Sequence, residues 1–186
     1  LNDRAMEIDE LEQNEVISYL PDINGKNVLE LGAGIGRYTQ HLASLAQWVT
    51  AVDFVEKFIE QNKINNSDRR NITYYCNNVI ALEFSSQVFD FIFINWLFMY
   101  LEDEEVKLLI DRLYNYLKPE CKFFLRESCV QPSNPNAPHP NTYYRDPKFY
   151  ENLLLEKFNL VSKGNVLVYE HKFNNPNQIF WLLQKK

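Results

Sequence analysis

Cysteine, histidine, glycine and proline are all scarce in this 186-residue sequence, and each shortage closes off a class of function. Three cysteines, Cys76, Cys121 and Cys129, are an odd number without metal-type spacing. With only three histidines beside them, they predict reduced thiols and no metal site. Five glycines and eight prolines against 46% hydrophobic residues leave no room for a disordered, collagenous or low-complexity chain. Positive charge is short as well: 19 Lys+Arg against 25 Asp+Glu give a net charge of −6. That balance argues against nucleic acid as a partner, because binding a phosphate backbone needs a basic face that releases counterions. The longest nearly apolar run, Phe91 to Leu101, is too short to cross a bilayer, and no charged-then-apolar signal opens the chain. The reading is therefore a cytoplasmic protein with no membrane partner, forming one globular domain over 1–186. The chain opens on Leu1 rather than Met, so further elements are expected upstream.

Short apolar runs alternate with longer segments of 3.6-residue period, the pattern of a parallel sheet with crossover helices. An acidic amphipathic helix over Arg4 to Leu20 comes first. Strands are predicted at Asn27 to Leu31, Trp48 to Val52, Ile72 to Cys76, Phe89 to Ile94 and Lys122 to Arg126. Helices are predicted from Gly36 to Ala46 and from Val55 to Asn65. A third, capped by Asp103, carries Val106, Leu109, Ile110, Leu113 and Leu117 on one face until Lys118-Pro119 stops it. Gln131 to Asn141 holds four prolines, and reads as a long loop at a strand's carboxyl end. A short helix over Asp146 to Leu155 follows. Val166 to Phe173 and Gln178 to Gln184 then read as an antiparallel hairpin turning at Asn174 to Asn177.

The stretch Val28-Leu-Glu-Leu-Gly-Ala-Gly-Ile-Gly-Arg37 sets three glycines between a strand and a helix, where a backbone without Cβ approaches a ligand closely. A dinucleotide fingerprint needs glycine where Arg37 stands, and no Gly-Lys-Ser/Thr follows, so neither that motif nor a P-loop is present. The E-x-G-x-G-x-G form resembles motif I of class I S-adenosylmethionine-dependent methyltransferases. Asp53, at the end of the second strand, suits a bidentate contact with ribose hydroxyls. Where that family often places an adenine-binding Asp, this sequence has Asn78, whose amide oxygen is also an acceptor.

Longer strings narrow the resemblance. LELGAGIGRYT at Leu29 to Thr39, NWLFMYLEDEEV at Asn95 to Val106, RESC at Arg126 to Cys129, NTYYRDPKFY at Asn141 to Tyr150 and the tail NQIFWLLQKK resemble phosphoethanolamine N-methyltransferases. The likeness is to the plant and nematode domain that performs the first methylation, and it runs from Leu20 onward. It implies an α/β fold, Rossmann-like, with a seven-stranded, mostly parallel sheet, an antiparallel C-terminal edge hairpin and helices on both faces. It implies S-adenosylmethionine as cofactor and S-adenosylhomocysteine as product. The implied substrate is a small phosphoester amine, phosphoethanolamine, methylated once or up to three times toward phosphocholine.

Carried over by position, the cofactor residues are Glu30, Gly32, Gly34, Gly36, Asp53, Phe54, Asn77, Asn78, Val79 and Asn95. Trp96, Tyr144, Arg145 and Tyr150 are assigned to the substrate, with the phosphate on Tyr144 and Arg145, and His171 or Lys172 is a further basic candidate. Relatives pair a catalytic Tyr with a His. The His position is Tyr100 here, and the Tyr belongs to a lid segment that precedes Leu1. Glu127 and Ser128 are second-tier substrate candidates. His41 reads as a partly exposed helix residue and His139 as part of the proline-rich loop, neither as a catalytic base, and Glu102 to Glu105 as helix capping and solvated charge. Two alternatives stand beside this reading: a different small-molecule acceptor, or a non-catalytic, cofactor-binding regulatory domain. A second methyltransferase domain or partner is left open.

Overall fold

The computed structural model describes residues 3–132 and 141–186, so the proline-rich loop and His139 lie outside the described residues. In chain order the elements are α1 (Asp3–Ser18), β1 (Asn27–Leu31), α2 (Arg37–Leu45), β2 (Trp48–Asp53), α3 (Glu56–Asn65), β3 (Ile72–Cys76) and β4 (Phe89–Asn95). A 3-10 turn (Phe98–Tyr100) leads to α4 (Asp103–Tyr116), β5 (Leu117–Ser128), α5 (Pro147–Lys157), β6 (Phe158–Asn165), α6 (Leu167–Phe173) and β7 (Gln178–Lys185). The seven strands lie in the order β3-β2-β1-β4-β5-β7-β6, and only β7 runs against its neighbours.

Alternation along the strands divides the core in two, because successive side chains leave a strand on opposite faces. Leu29, Leu31, Ile92, Ile94, Phe123, Leu125, Trp181 and Leu183 pack with Val106, Leu109 and Leu113 of α4 and with Tyr150 and Leu154 of α5. Val28, Phe91, Phe93, Phe124, Phe180 and Leu182 pack on the other side with Val16 of α1, Tyr38 and Leu42 of α2 and Tyr169 of α6. Helices thus cover both faces, and no helix among the described residues is long and apolar enough to cross a membrane.

One expected element changes type. Val166 to Phe173 is not a strand: its last seven residues form α6, and the partner of β7 is β6, over Phe158–Asn165. The antiparallel edge is therefore real, but its two strands are joined through a helix rather than a tight hairpin. The reason lies far away in the sequence. The Glu15 carboxylate on α1 accepts the N–H groups of Leu167 (2.5 Å) and Val168 (2.8 Å), capping the first turn of a segment whose β-branched content favours a strand. Smaller shifts also occur. The cap of α4 is Glu102, in a reciprocal box with Glu105, and β5 begins at Leu117, so Pro119 stands within the strand.

Strand order reverses between β1 and β4, and in open α/β sheets ligands bind outside the carboxyl ends at such a switch. The glycine loop after β1 and the turn after β4 meet there. A Cβ on Gly32 would stand 3.5 Å from Cβ of Leu97.

Candidate active site

Gly32, Gly34 and Gly36 have φ of +74°, +54° and +89°, a region L side chains rarely adopt. Their surroundings differ. A Cβ on Gly34 would meet nothing within 4 Å, so this is the glycine that opens onto free space at the carboxyl edge. A Cβ on Gly36 would collide with Asn62 and come within 2.6 Å of Nδ2 of Asn66, so this glycine is required by the packing of α2 on α3.

Asp53 closes β2 with both oxygens engaged: Oδ2 accepts the N–H of Gly34 (2.8 Å) and Oδ1 that of Val55 (2.9 Å). Each oxygen keeps lone-pair capacity for a hydroxyl, and the two bonds hold the carboxylate in one orientation. Phe54 beside it is 74% exposed. Asn77 joins this edge by donating its N–H to the Asp53 carbonyl (3.0 Å). Asn78 uses its side-chain oxygen to accept the N–H of Ile80 (2.8 Å), so the acceptor expected to face adenine already holds a turn. Val79 points its side chain into the core and has only its backbone to offer. Glu30 is sealed beneath the loop at 2% exposure, where burial and the charge of Asp53 push its carboxyl up to about 8 against the pull of Thr39. It accepts the Thr39 hydroxyl at 2.6 Å and so acts on the loop through α2.

On the acceptor side, Glu127 organises the turn after β4. Its buried carboxylate accepts the N–H groups of Leu97 (3.0 Å), Phe98 (2.7 Å) and Met99 (3.2 Å). Burial lifts it to about 7 in spite of these donors and of Arg126. Glu127 is therefore a turn anchor rather than a substrate ligand. Ser128 is committed as well, donating to the Gln131 carbonyl and accepting from Gln178. The turn presents Tyr100 half exposed, with its phenol raised by burial and by the charges of Tyr144 and Glu127. The segment carrying Tyr143 and Tyr144 docks on it through Tyr143 N–H to the Met99 carbonyl (2.7 Å).

Two residues assigned to the substrate are held inside the protein. Arg145 is buried and donates to the carbonyls of Phe98 (2.9 Å) and Leu101 (2.6 Å) and to Asp103 (2.8 Å), clamping the turn to the start of α4. Its fork is spent on the protein. Tyr150 is fully buried among Phe98, Phe149 and Trp181. Its hydroxyl has no hydrogen-bond partner among the described residues, and burial raises it above the ordinary tyrosine value while nearby Arg145 opposes the rise.

The sequence reading missed a buried polar hub beneath this turn. Glu12 of α1, 2% exposed, pairs with Arg126 of β5 at 2.5 Å and accepts the Tyr169 hydroxyl of α6 at 3.1 Å. Arg126 also donates to Asn95 (2.9 Å) and Gln178 (3.2 Å) and lies 4.0 Å from the Trp96 ring centroid. Trp96, at φ +56°, donates its indole N–H to Gln178 (2.9 Å). One face of Trp96 is therefore covered by a guanidinium, and Asn95 is held from behind. The only trace of this in the sequence is a Glu on the otherwise apolar side of α1 that includes Val16. The hub also brings α6, with His171 and Lys172 in its last turn, to the same edge.

Comparison with known proteins fits this geometry. Residues 28–120 match a family model described as a methyltransferase domain. Phosphoethanolamine N-methyltransferase 1 of Triticum aestivum is 40% identical over 200 residues, which cover 100% of this chain and 40% of that protein. Its namesake in Caenorhabditis elegans is 34% identical over 205 residues, covering 100% of this chain and 43% of that protein. This chain thus spans less than half the length of these curated relatives. The solved structure of Haemonchus contortus phosphoethanolamine N-methyltransferase 1, in complex with phosphoethanolamine and S-adenosylhomocysteine, matches with a TM-score of 0.93 and 32% identity. That match covers 97% of this chain and 43% of that one. An S-adenosylmethionine-dependent methyltransferase from Mesorhizobium loti, 16% identical with a TM-score of 0.80 over 94% of this chain and 98% of its own, shares the fold. With the matched residues taking in the glycine loop, Asp53 and the turn after β4, the chain belongs to the methyltransferase-domain family.

Proposed function

We propose that this chain is an S-adenosylmethionine-dependent N-methyltransferase that converts phosphoethanolamine to its monomethyl derivative, an early step of phosphocholine synthesis. The observation that carries the reading is the TM-score of 0.93 over 97% of this chain with a nematode enzyme whose structure holds both phosphoethanolamine and S-adenosylhomocysteine. The residues present suit such a cofactor. Gly34 leaves room where a Cβ would stand, and Asp53 offers an oriented carboxylate. In this reading Gly32 and Gly34 let the cofactor approach the backbone closely, Asp53 holds its ribose, and Phe54, Asn77, Asn78 and Val79 border its adenine. Asn95 and Glu30 back the amino-acid end. When bound, the cofactor supplies an electrophilic methyl group on a sulfonium.

The chain's own work is alignment and desolvation of the amine. Trp96, Tyr100 and Tyr144 border the acceptor, and Tyr100, raised above the ordinary tyrosine value, stays protonated at neutral pH. It therefore orients the amine or a water as a hydrogen-bond partner instead of ionising. In this reading the phosphate is met by Tyr144 and by a base in the last turn of α6, His171 or Lys172. A second methyltransferase unit, as domain or partner, is part of the proposal, supported by the 40% share of the Triticum aestivum protein that this chain covers. The commitment of Arg145 also favours a second reading, a small amine acceptor without phosphate. Calorimetric titration of phosphoethanolamine into the chain saturated with S-adenosylhomocysteine tests both, with inorganic phosphate and ethanolamine as comparisons. Binding specific to the phosphoester supports the first reading, and binding of ethanolamine alone supports the second.

A further inference from the structure

The C-terminal half of α3 and its C-cap carry three asparagines in five residues, Asn62, Asn65 and Asn66, although asparagine is a poor helix former. Each amide reaches the glycine loop. Nδ2 of Asn62 lies 3.4 Å from the Gly34 carbonyl, Nδ2 of Asn65 2.8 Å from that of Ile35, and Nδ2 of Asn66 3.4 Å from that of Gly36. Three consecutive carbonyls are thus taken up by one helix. The donors are also linked in series: Asn66 donates to Oδ1 of Asn62 (3.0 Å), Asn62 to the Thr39 hydroxyl (3.0 Å), and Thr39 to Glu30 (2.6 Å). Asn62 and Asn66 are 0% and 1% exposed, so a lost bond there leaves a buried polar group unpaired. In a trans peptide the N–H points opposite to the C=O. Holding the carbonyls of Gly34 and Gly36 toward α3 therefore turns the N–H groups of Ile35 and Arg37 the other way.

We propose that Asn62, Asn65 and Asn66 are positioning residues that set the shape of the glycine loop, and through it the affinity for the cofactor, without touching the cofactor. The inference rests on the cofactor reading given above. It is tested by calorimetric titration of S-adenosylhomocysteine into the full chain and its variants, well below their unfolding temperatures. Asn65→Ala, at the surface, should weaken binding several-fold, and Asn62→Ala by about tenfold or more. Asn65→Asp, similar in shape but with no proton to give, should bind more weakly than Asn65→Ala. Asn71 serves as the comparison. It holds the carbonyls of Ala43 (2.9 Å) and Ala46 (3.1 Å), at the other end of α2 from the loop. Asn71→Ala should lower the melting temperature and leave the affinity unchanged. Unaltered affinity in Asn65→Ala and Asn62→Ala, or equal weakening by Asn71→Ala, would overturn the positioning role while leaving the cofactor reading intact. Failure of the unaltered chain to bind S-adenosylhomocysteine would overturn both.

Discussion

Replacing Glu12 with Gln tests the hub most directly. The substitution keeps the shape of the side chain and removes one buried charge. Arg126, 0% exposed, would then face only neutral oxygens, those of Asn95, Gln178 and the substituted amide. Removing one partner of a buried pair costs about 3–5 kcal/mol, and the coulombic attraction of two charges 4 Å apart at an effective dielectric of 20 is of the same size, about 4 kcal/mol. Against a total stability of about 5–15 kcal/mol, that loss is readily measured by urea unfolding monitored through the tryptophans. The pH dependence has a definite sign. Burial alone would raise the Glu12 carboxyl, but Arg126 and Arg37 outweigh it and hold the group below its ordinary 4.5. Its contribution is therefore present above pH 4.5 and lost as pH falls through the lowered folded value, so the two proteins should converge in acid. Pairing Glu12→Gln with Arg126→Met should recover part of the loss, because the uncompensated charge is gone. A loss under about 1 kcal/mol, or a double variant as unstable as the sum of its parts, would refute the reasoning.

Arg145→Ala should cost about 3 kcal/mol, since two buried carbonyls lose a charged donor, and should lower the melting temperature. An unmoved melting temperature with a raised phosphoethanolamine requirement would return Arg145 to the substrate. Lys172→Ala should raise the KM for phosphoethanolamine at least several-fold and leave S-adenosylhomocysteine affinity unchanged, as read by kinetics and calorimetry together. Asp53→Ala should abolish detectable S-adenosylhomocysteine binding, and retained affinity would contradict the ribose assignment. Glu127 titrates near 7 when folded against an ordinary 4.5, so the folded chain keeps a proton that the unfolded chain has released. Its contribution to stability is greatest below pH 4.5 and declines as pH rises to about 7. Glu127→Gln should remove that decline, and parallel stability profiles from pH 4.5 to 8 would refute the assignment.

The cluster proposed to hold the cofactor was legible in the sequence because its residues are local to strand ends: the glycines follow β1, Asp53 ends β2, and Asn77 follows β3. The acceptor half was not, because it is assembled from distant residues. Glu12 meets Arg126 across 114 positions, and Glu127 caps a turn about 28 residues before it. An arginine beside tyrosines reads the same whether it awaits an anion or clamps carbonyls, so the bonds of Arg145 to Phe98, Leu101 and Asp103 could not be foreseen. The misread α6 has the same cause. Its composition favours a strand, and the deciding cap comes from Glu15 on the first helix.

The place of β7 has a consequence for synthesis. Residues 178–185 are the last strand of this sheet to be made, yet they lie between β5 and β6 and supply its antiparallel bonds among the described residues. On a ribosome that has not yet reached Gln178, β6 has no strand beside it and the outer side of β5 is bare. Trp181 and Leu183 are then missing from one core and Phe180 and Leu182 from the other. A nascent chain halted there displays an open strand edge and apolar surface, the features that chaperones and proteases recognise. Strand β7 thus completes this sheet, and truncation before it should lead to degradation rather than to a smaller working sheet.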